Sequence, residues 1–107
     1  MSEAGPAGFP ADDVPLYTVG QVADMLGVQP AFLRRLDVEQ LVQPARSDGG
    51  QRRYTRAEIG RVQQVSTLAD EGMSLASIRR ILALEAELAE VKRQLEAARR
   101  RRAEQAG

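Results

Sequence analysis

Apolar positions along this chain keep changing their spacing, and each change marks an element. Val19, Val22, Ala23 and Leu26 recur at helical intervals behind Thr18-x-x-Gln21. That pair fits a capping box, in which the hydroxyl takes an orphan N–H while the Gln side chain reaches back. Gly27 supplies a left-handed residue to end this helix after roughly two turns. Pro30 opens a second helix at once, because its missing N–H would have no partner in a first turn, and Gln29 becomes the N-cap. At about 100° per residue, Leu33, Leu36 and Gln40 fall on one side of that helix and Ala31, Arg34, Arg35 and Val38 on the other. One face packs and one carries guanidinium groups. Two helices joined by so few residues cross steeply, which is the helix-turn-helix unit.

The period then shortens. Asp48-Gly49-Gly50 between short runs containing Val42 and Tyr54 signals a tight turn, since glycine takes positive φ without a side-chain clash. Arg46, Arg52, Arg53 and Arg56 against Asp48 make this hairpin locally basic. Thr55-x-x-Glu58 is a second capping box, strengthened by a carboxylate near the helix dipole's positive end. It starts a helix with Ile59, Val62, Val65, Ser66 and Ala69 on one broad side and Gly72 at its end. Gly60 inside that helix costs about 0.5–1 kcal/mol relative to Ala. Either another backbone passes close to it or the cost is tolerated.

Ser74 caps a last helix with no Gly or Pro from Leu75 until Gly107. Ile81, Leu84, Leu88, Val91, Leu95 and Ala98 alternate steps of three and four, which is a coiled-coil seam. A helix over 78–102 is about 37 Å long, farther than a small domain covers. A second chain is expected to bury the seam. The fold class that follows is mainly α with a small β wing: a winged helix-turn-helix domain, then a long C-terminal dimerisation helix. The expected divisions are a disordered tail over 1–15, the winged domain over 16–73 and the coiled-coil segment over 74–105.

Composition narrows the chemistry. With 107 residues, 4% aromatics and no Trp, the core is small, and there is no room for a separate small-molecule effector domain. Net charge is zero, yet residues 1–17 carry only acids, and 31–64 concentrate arginine where the second helix and the wing lie. The tail holds Pro6, Pro10 and Pro15 and little that anchors a core. With no Cys and no His, disulfides, thiol redox sensing and His- or Cys-ligated metal are excluded, and no cofactor is expected. The carboxylates are spread along helices, so no nucleophile–base pair can be nominated and no enzyme is expected. No signal peptide or membrane-spanning run is present in the pattern, and the expectation is a soluble, cytoplasmic protein without a membrane partner.

The order of parts carries a resemblance. Thr18-Val19-Gly20-Gln21-Val22-Ala23, Val28-Gln29-Pro30-x-x-Leu33-Arg34, Leu41-Val42-x-Pro44-Ala45-Arg46, Gly49-Gly50-Gln51-Arg52-Arg53-Tyr54 and Met73-Ser74-Leu75-x-x-Ile78-Arg79-x-Ile81-Leu82 together resemble the MerR family of transcriptional regulators. The HspR-type heat-shock repressors share the Arg-x-x-Gly-Gly-x-Arg-Arg-Tyr wing. The resemblance covers about residues 16–95. It implies a homodimer on double-stranded DNA at an inverted-repeat operator, with two helices in successive major grooves, two wings on the flanking backbone and an antiparallel coiled coil. It also implies a repressor of stress genes with a DnaK-type chaperone as co-regulator. Arg34 matches the family's helix arginine, and Arg52, Arg53 and Tyr54 match wing residues that approach phosphate and sugar. The candidate DNA-contacting set is Thr18, Gln29, Ala31, Arg34, Arg35, Arg46, Gln51, Arg52, Arg53 and Tyr54. Where the family usually has an aromatic pair, this chain has Arg35-Leu36.

Plainer readings stand beside these. Arg34 and Arg35 alone would read as a solvated helix face, and the adjoining wing turns the balance. Arg52 and Arg53 could be strand charges that discourage edge pairing, but Arg46 and Arg56 nearby favour phosphate contact. Tyr54 is a candidate for core and interface alike, and Phe32 for the core. Arg99 to Arg102 read as a solvated helix end, with nucleic-acid contact as the lesser alternative. Flanking charges do not fix the direction of the coiled coil. Two other functions compete: a DNA-architectural, excisionase-like protein, and a coiled-coil adaptor or anti-sigma-type partner that ignores DNA.

Overall fold

The computed structural model describes residues 11–107. It contains α1 (Val19–Leu26), α2 (Pro30–Val38), β1 (Ala45–Arg46), β2 (Arg52–Arg53), α3 (Arg56–Asp70) and α4 (Leu75–Ala106). The chain divides after Gly72 into one unit holding α1 to α3 with the hairpin, and another made by α4.

In the first unit both capping boxes form. Thr18 Oγ1 accepts from Gln21 N–H at 3.1 Å while Gln21 Oε1 accepts from Thr18 N–H at 2.9 Å. Gly27 sits at φ 66°, the left-handed region that lets Val28 N–H bond back to Ala23 O at 3.1 Å. Pro30 begins α2, and the Gln29 side chain makes no cap bond. The packing face of α2 is Leu33 and Leu36, both buried, with Ala31, Arg34, Arg35 and Val38 exposed as the period predicts.

Gln40 departs from its expected place on that packing face. It lies beyond the helix, exposed, at φ 61°. The cause is the way α2 stops: Gln40 N–H donates to Asp37 O at 3.0 Å and Leu41 N–H to Leu36 O at 2.9 Å, a Schellman closure that needs a left-handed residue between them. Leu41 is thereby turned inward and buried, and Val42 and Pro44 follow it.

β1 and β2 pair antiparallel with Ala45 opposite Arg53 and Arg46 opposite Arg52. Gly50 N–H donates to Ser47 O at 2.8 Å and Gly50 stands at φ 81°, so the loop is a tight turn closed by a left-handed glycine. Leu16 and Tyr17 bind the root of the wing. Their N–H groups reach Tyr54 O at 3.1 and 3.0 Å, and Tyr54 N–H reaches Tyr17 O at 2.7 Å. In α3, Thr55 and Glu58 form the second capping box, and Ile59, Val62 and Val65 are buried. Among the described residues a Cβ built on Gly60 meets nothing within 4 Å, so no described backbone passes close and the cost of this glycine is carried.

Residues 1–10 of the expected disordered tail lie outside the described residues. Ala11–Asp13, the next part of that tail, instead form a 3-10 turn in contact with α3, where Asp12 Oδ1 comes within 3.9 Å of Arg56 Nε. Asp12 thus faces Arg56, the first residue of α3.

α4 is one uninterrupted helix of 32 residues, about 48 Å at 1.5 Å per residue. Ser74 Oγ caps it, accepting from Ser77 N–H at 3.1 Å. Ile78 and Leu82 near its start are buried, whereas nearly everything beyond is exposed. No helix among the described residues is long and apolar enough to cross a membrane.

Candidate nucleic-acid interface

The exposed face of α2 runs through Ala31, Arg34, Arg35 and Val38, and Val38 keeps 76% of its surface open. Gln29, at the mouth of the helix, is exposed and its amide is free of capping duty. Such a helix can enter a groove, because its apolar side is fully committed to Leu33 and Leu36 while its cationic side is not.

The wing is tied to this helix through Asp37. One carboxylate oxygen, Oδ2, accepts from Arg52 Nε at 2.7 Å and from Arg46 Nη2 at 3.2 Å. Arg46 also donates to Gly50 O at 3.2 Å, so the same side chain braces the turn. Asp37 and Arg52 are largely buried, with 15% and 18% of their side chains exposed. Spacing along the chain gave no sign of Asp37, because its partners lie nine and fifteen residues away and belong to another element.

Between the start of α1 and the wing opens a groove of about 360 Å³, lined by Thr18, Val19, Gly20, Gly50, Gln51, Arg46, Arg52 and Arg53. Its walls offer the N-terminal end of a helix and three guanidinium groups, two of them, Arg46 and Arg52, paired with Asp37, which together are the ingredients of a phosphate seat. Thr18 and Gln51, weak candidates singly, are brought to the arginines here. Arg53 is half-buried, and its Nη1 donates to Arg52 O at 3.3 Å.

Of the two readings open for Tyr54, core and interface, the structure shows the first: the side chain is fully buried, and its place in the DNA-contacting set is not supported. Strand alternation is the reason: Tyr54 follows Arg53 and so faces the opposite side of the wing, into the core beneath it. Among the described residues its hydroxyl finds no hydrogen-bond partner, and burial pushes its pKa upward. Phe32 is half-buried, at a shallow hollow with Gly27, Val28, Gln29, Ser66, Ala69 and Asp70.

On α4 the seam residues stand on one stripe. Leu84, Leu88, Val91 and Leu95 are 51%, 54%, 58% and 48% exposed, and Ile81 and Ala98 are half-buried. Among the described residues no three acidic side chains gather to hold a metal ion.

A family model described as MerR HTH family regulatory protein matches residues 17–85. The chain belongs to the MerR family. A Streptomyces coelicolor protein bearing the heat-shock name HspR is 41% identical over 81 residues, covering 75% of this MerR chain and 54% of its own length. The MerR chain therefore spans about half of that relative. Among solved structures, the N-terminus of MtaN, a Bacillus subtilis multidrug transporter activator, matches with a TM-score of 0.59 and 32% identity, over 82% of this chain and 89% of that one. HiNmlR, a MerR family regulator lacking the sensor domain and solved bound to promoter DNA, matches with a TM-score of 0.58 and 27% identity, over 75% and 78%.

Proposed function

We propose that this chain is a transcription regulator that binds specific duplex DNA as a homodimer. In this reading α2 lies in the major groove with Arg34 and Arg35 toward base edges. Thr18, Arg53 and Gln51 then meet the flanking phosphates from the groove beside α1. The observation that carries the reading is the pairing of an uncommitted cationic helix face with a basic groove braced to the same helix. Membership of the MerR family supports it, as does likeness to HiNmlR, which was solved on promoter DNA. The homodimer is supported by the exposed stripe of Leu84, Leu88, Val91 and Leu95, which another copy of α4 would cover. An inverted-repeat operator follows from two-fold symmetry.

Repression of stress genes is the narrower form of this proposal, supported by the 41% identity with the HspR-named protein. A DnaK-type co-regulator belongs to that form alone. The test is selection of bound duplexes from random DNA by the full chain. Enrichment of one motif with two inverted halves is expected. A pool that stays random would defeat the sequence-reading role, and an enriched single half-site would defeat the homodimer.

A further inference from the structure

Asp37 stands outside every contact that DNA reading would use, yet it is the point where the two DNA-facing elements meet. Its oxygen Oδ2 holds Arg52 Nε at 2.7 Å and Arg46 Nη2 at 3.2 Å. One carboxylate thus gathers a guanidinium from each strand of the wing onto the last turn of α2. The two arginines are cross-strand partners in the hairpin register, so a single anchor fixes both strands. Tying both to one oxygen restrains the wing's tilt as well as its distance. The local charge is also reduced, since two cations sharing one anion leave a net of one.

We propose that Asp37 is a positioning residue: it sets the spacing between the base-reading face of α2 and the phosphate-seating groove of the wing, and it withholds Arg46 and Arg52 from indiscriminate phosphate binding. The inference rests on the DNA-binding reading above. Its reasoning is geometric. A helix and a wing that move independently can satisfy groove and backbone contacts on any duplex in turn. When they are locked together, both sets are satisfied at once only where the bases fit. Specificity then depends on an ion pair that touches no nucleotide.

Removing the carboxylate therefore pushes two quantities in opposite directions. Asp37→Asn frees two guanidinium groups for phosphate, so binding to a random-sequence duplex holds or tightens, and its salt slope steepens by up to about two units. Binding to the selected duplex loses its advantage, and the ratio of selected to random affinity falls by about tenfold or more, the scale of one mismatched base pair. Asp37→Glu, which retains the charge, restores part of that ratio. A merely structural aspartate would weaken both duplexes together and leave the ratio intact.

The experiment measures full-length wild type, Asp37→Asn and Asp37→Glu by fluorescence anisotropy on both duplexes across a salt series, with thermal melts of each. If Asp37→Asn loses its cooperative melt, Arg52→Lys takes its place. That change keeps the charge but removes the planar Nε–H donor that meets Asp37 at 2.7 Å, so the ratio should fall. A ratio equal to wild type in the variant that folds overturns the proposal. A wild-type chain that does not distinguish the two duplexes at all overturns the DNA-reading role itself, a separate outcome seen before any variant is made.

Discussion

Gln40 holds a backbone conformation that L residues other than Asn and Asp adopt at a cost of about 1–2 kcal/mol, at φ 61° and fully outside α2. Gly there would avoid the Cβ clash and lose part of the gain to the greater freedom of the unfolded chain, about 0.5–1 kcal/mol. Gln40→Gly is therefore expected to stabilise by up to about 1 kcal/mol, read as a higher urea midpoint with the m-value unchanged. Tyr54 presents a different cost. Its ring fills the core, but among the described residues its hydroxyl is buried without a partner, and an unsatisfied buried hydroxyl costs about 1–3 kcal/mol. Tyr54→Phe should leave the fold unchanged and raise the melting temperature. The pKa of Tyr54 is raised chiefly by desolvation. Its unfolded form, with a pKa near 10, therefore ionises first as pH climbs. The stability present below about pH 10 is lost as pH rises toward the higher folded value. Tyr54→Phe removes that loss, so the gap between variant and wild type should widen above pH 10. A constant gap through that range would mean that Tyr54 is not shielded from water.

At the scale of elements, the proposed function gives α2 and the wing distinct tasks. Arg34 stands on the open face of α2, where a bidentate contact to a base carries about 1–3 kcal/mol of discrimination. Arg53 lines the groove beside α1, where it would neutralise a phosphate. Arg34→Ala is expected to relax sequence preference, and Arg53→Ala to weaken all duplexes alike and lower the salt slope by about one unit. Equal losses on selected and random DNA for both variants would refute this division. The middle of α4 is held by local bonds: Glu90 accepts from Arg93 and from Gln94, and these contacts keep its carboxyl below the usual range. They support the helix from its polar side and leave the apolar stripe free.

For the whole molecule, the exposed stripe on α4 sets the expectation. Asp at both Leu88 and Leu95 would place unpaired charges in a dimer seam, where removing them from water is costly. The double variant should sediment as a monomer while α1 to α3 keep their melt, and a variant that stays dimeric would show the seam lies elsewhere. In the proposed homodimer a small core and a short seam would also make association concentration-dependent. Warming should release DNA from dilute protein first, and added protein should restore binding through recovered avidity. Binding unchanged across the growth-temperature range, with or without a chaperone, would remove the stress-gene form of the proposal.

What the sequence determined by itself are the local features. The two capping boxes, the stops at Gly27 and Gly72, the turn at Gly50 and the burial of Leu33, Leu36, Ile59, Val62 and Val65 all follow from periods and spacings within a few residues. The caps, stops and turn are interactions between near neighbours and the apolar period marks which side chains pack, so the order of residues contains them. Three features needed the tertiary structure. α2 closes at Gln40 and thereby turns Leu41 inward, burial beneath the wing decided between the core and interface readings of Tyr54, and Asp37 met Arg46 and Arg52 because the hairpin folds back on α2. Those contacts join residues that lie apart in sequence or whose direction depends on a neighbouring element. No spacing rule reaches them, because what brings them together is the packing of one element on another.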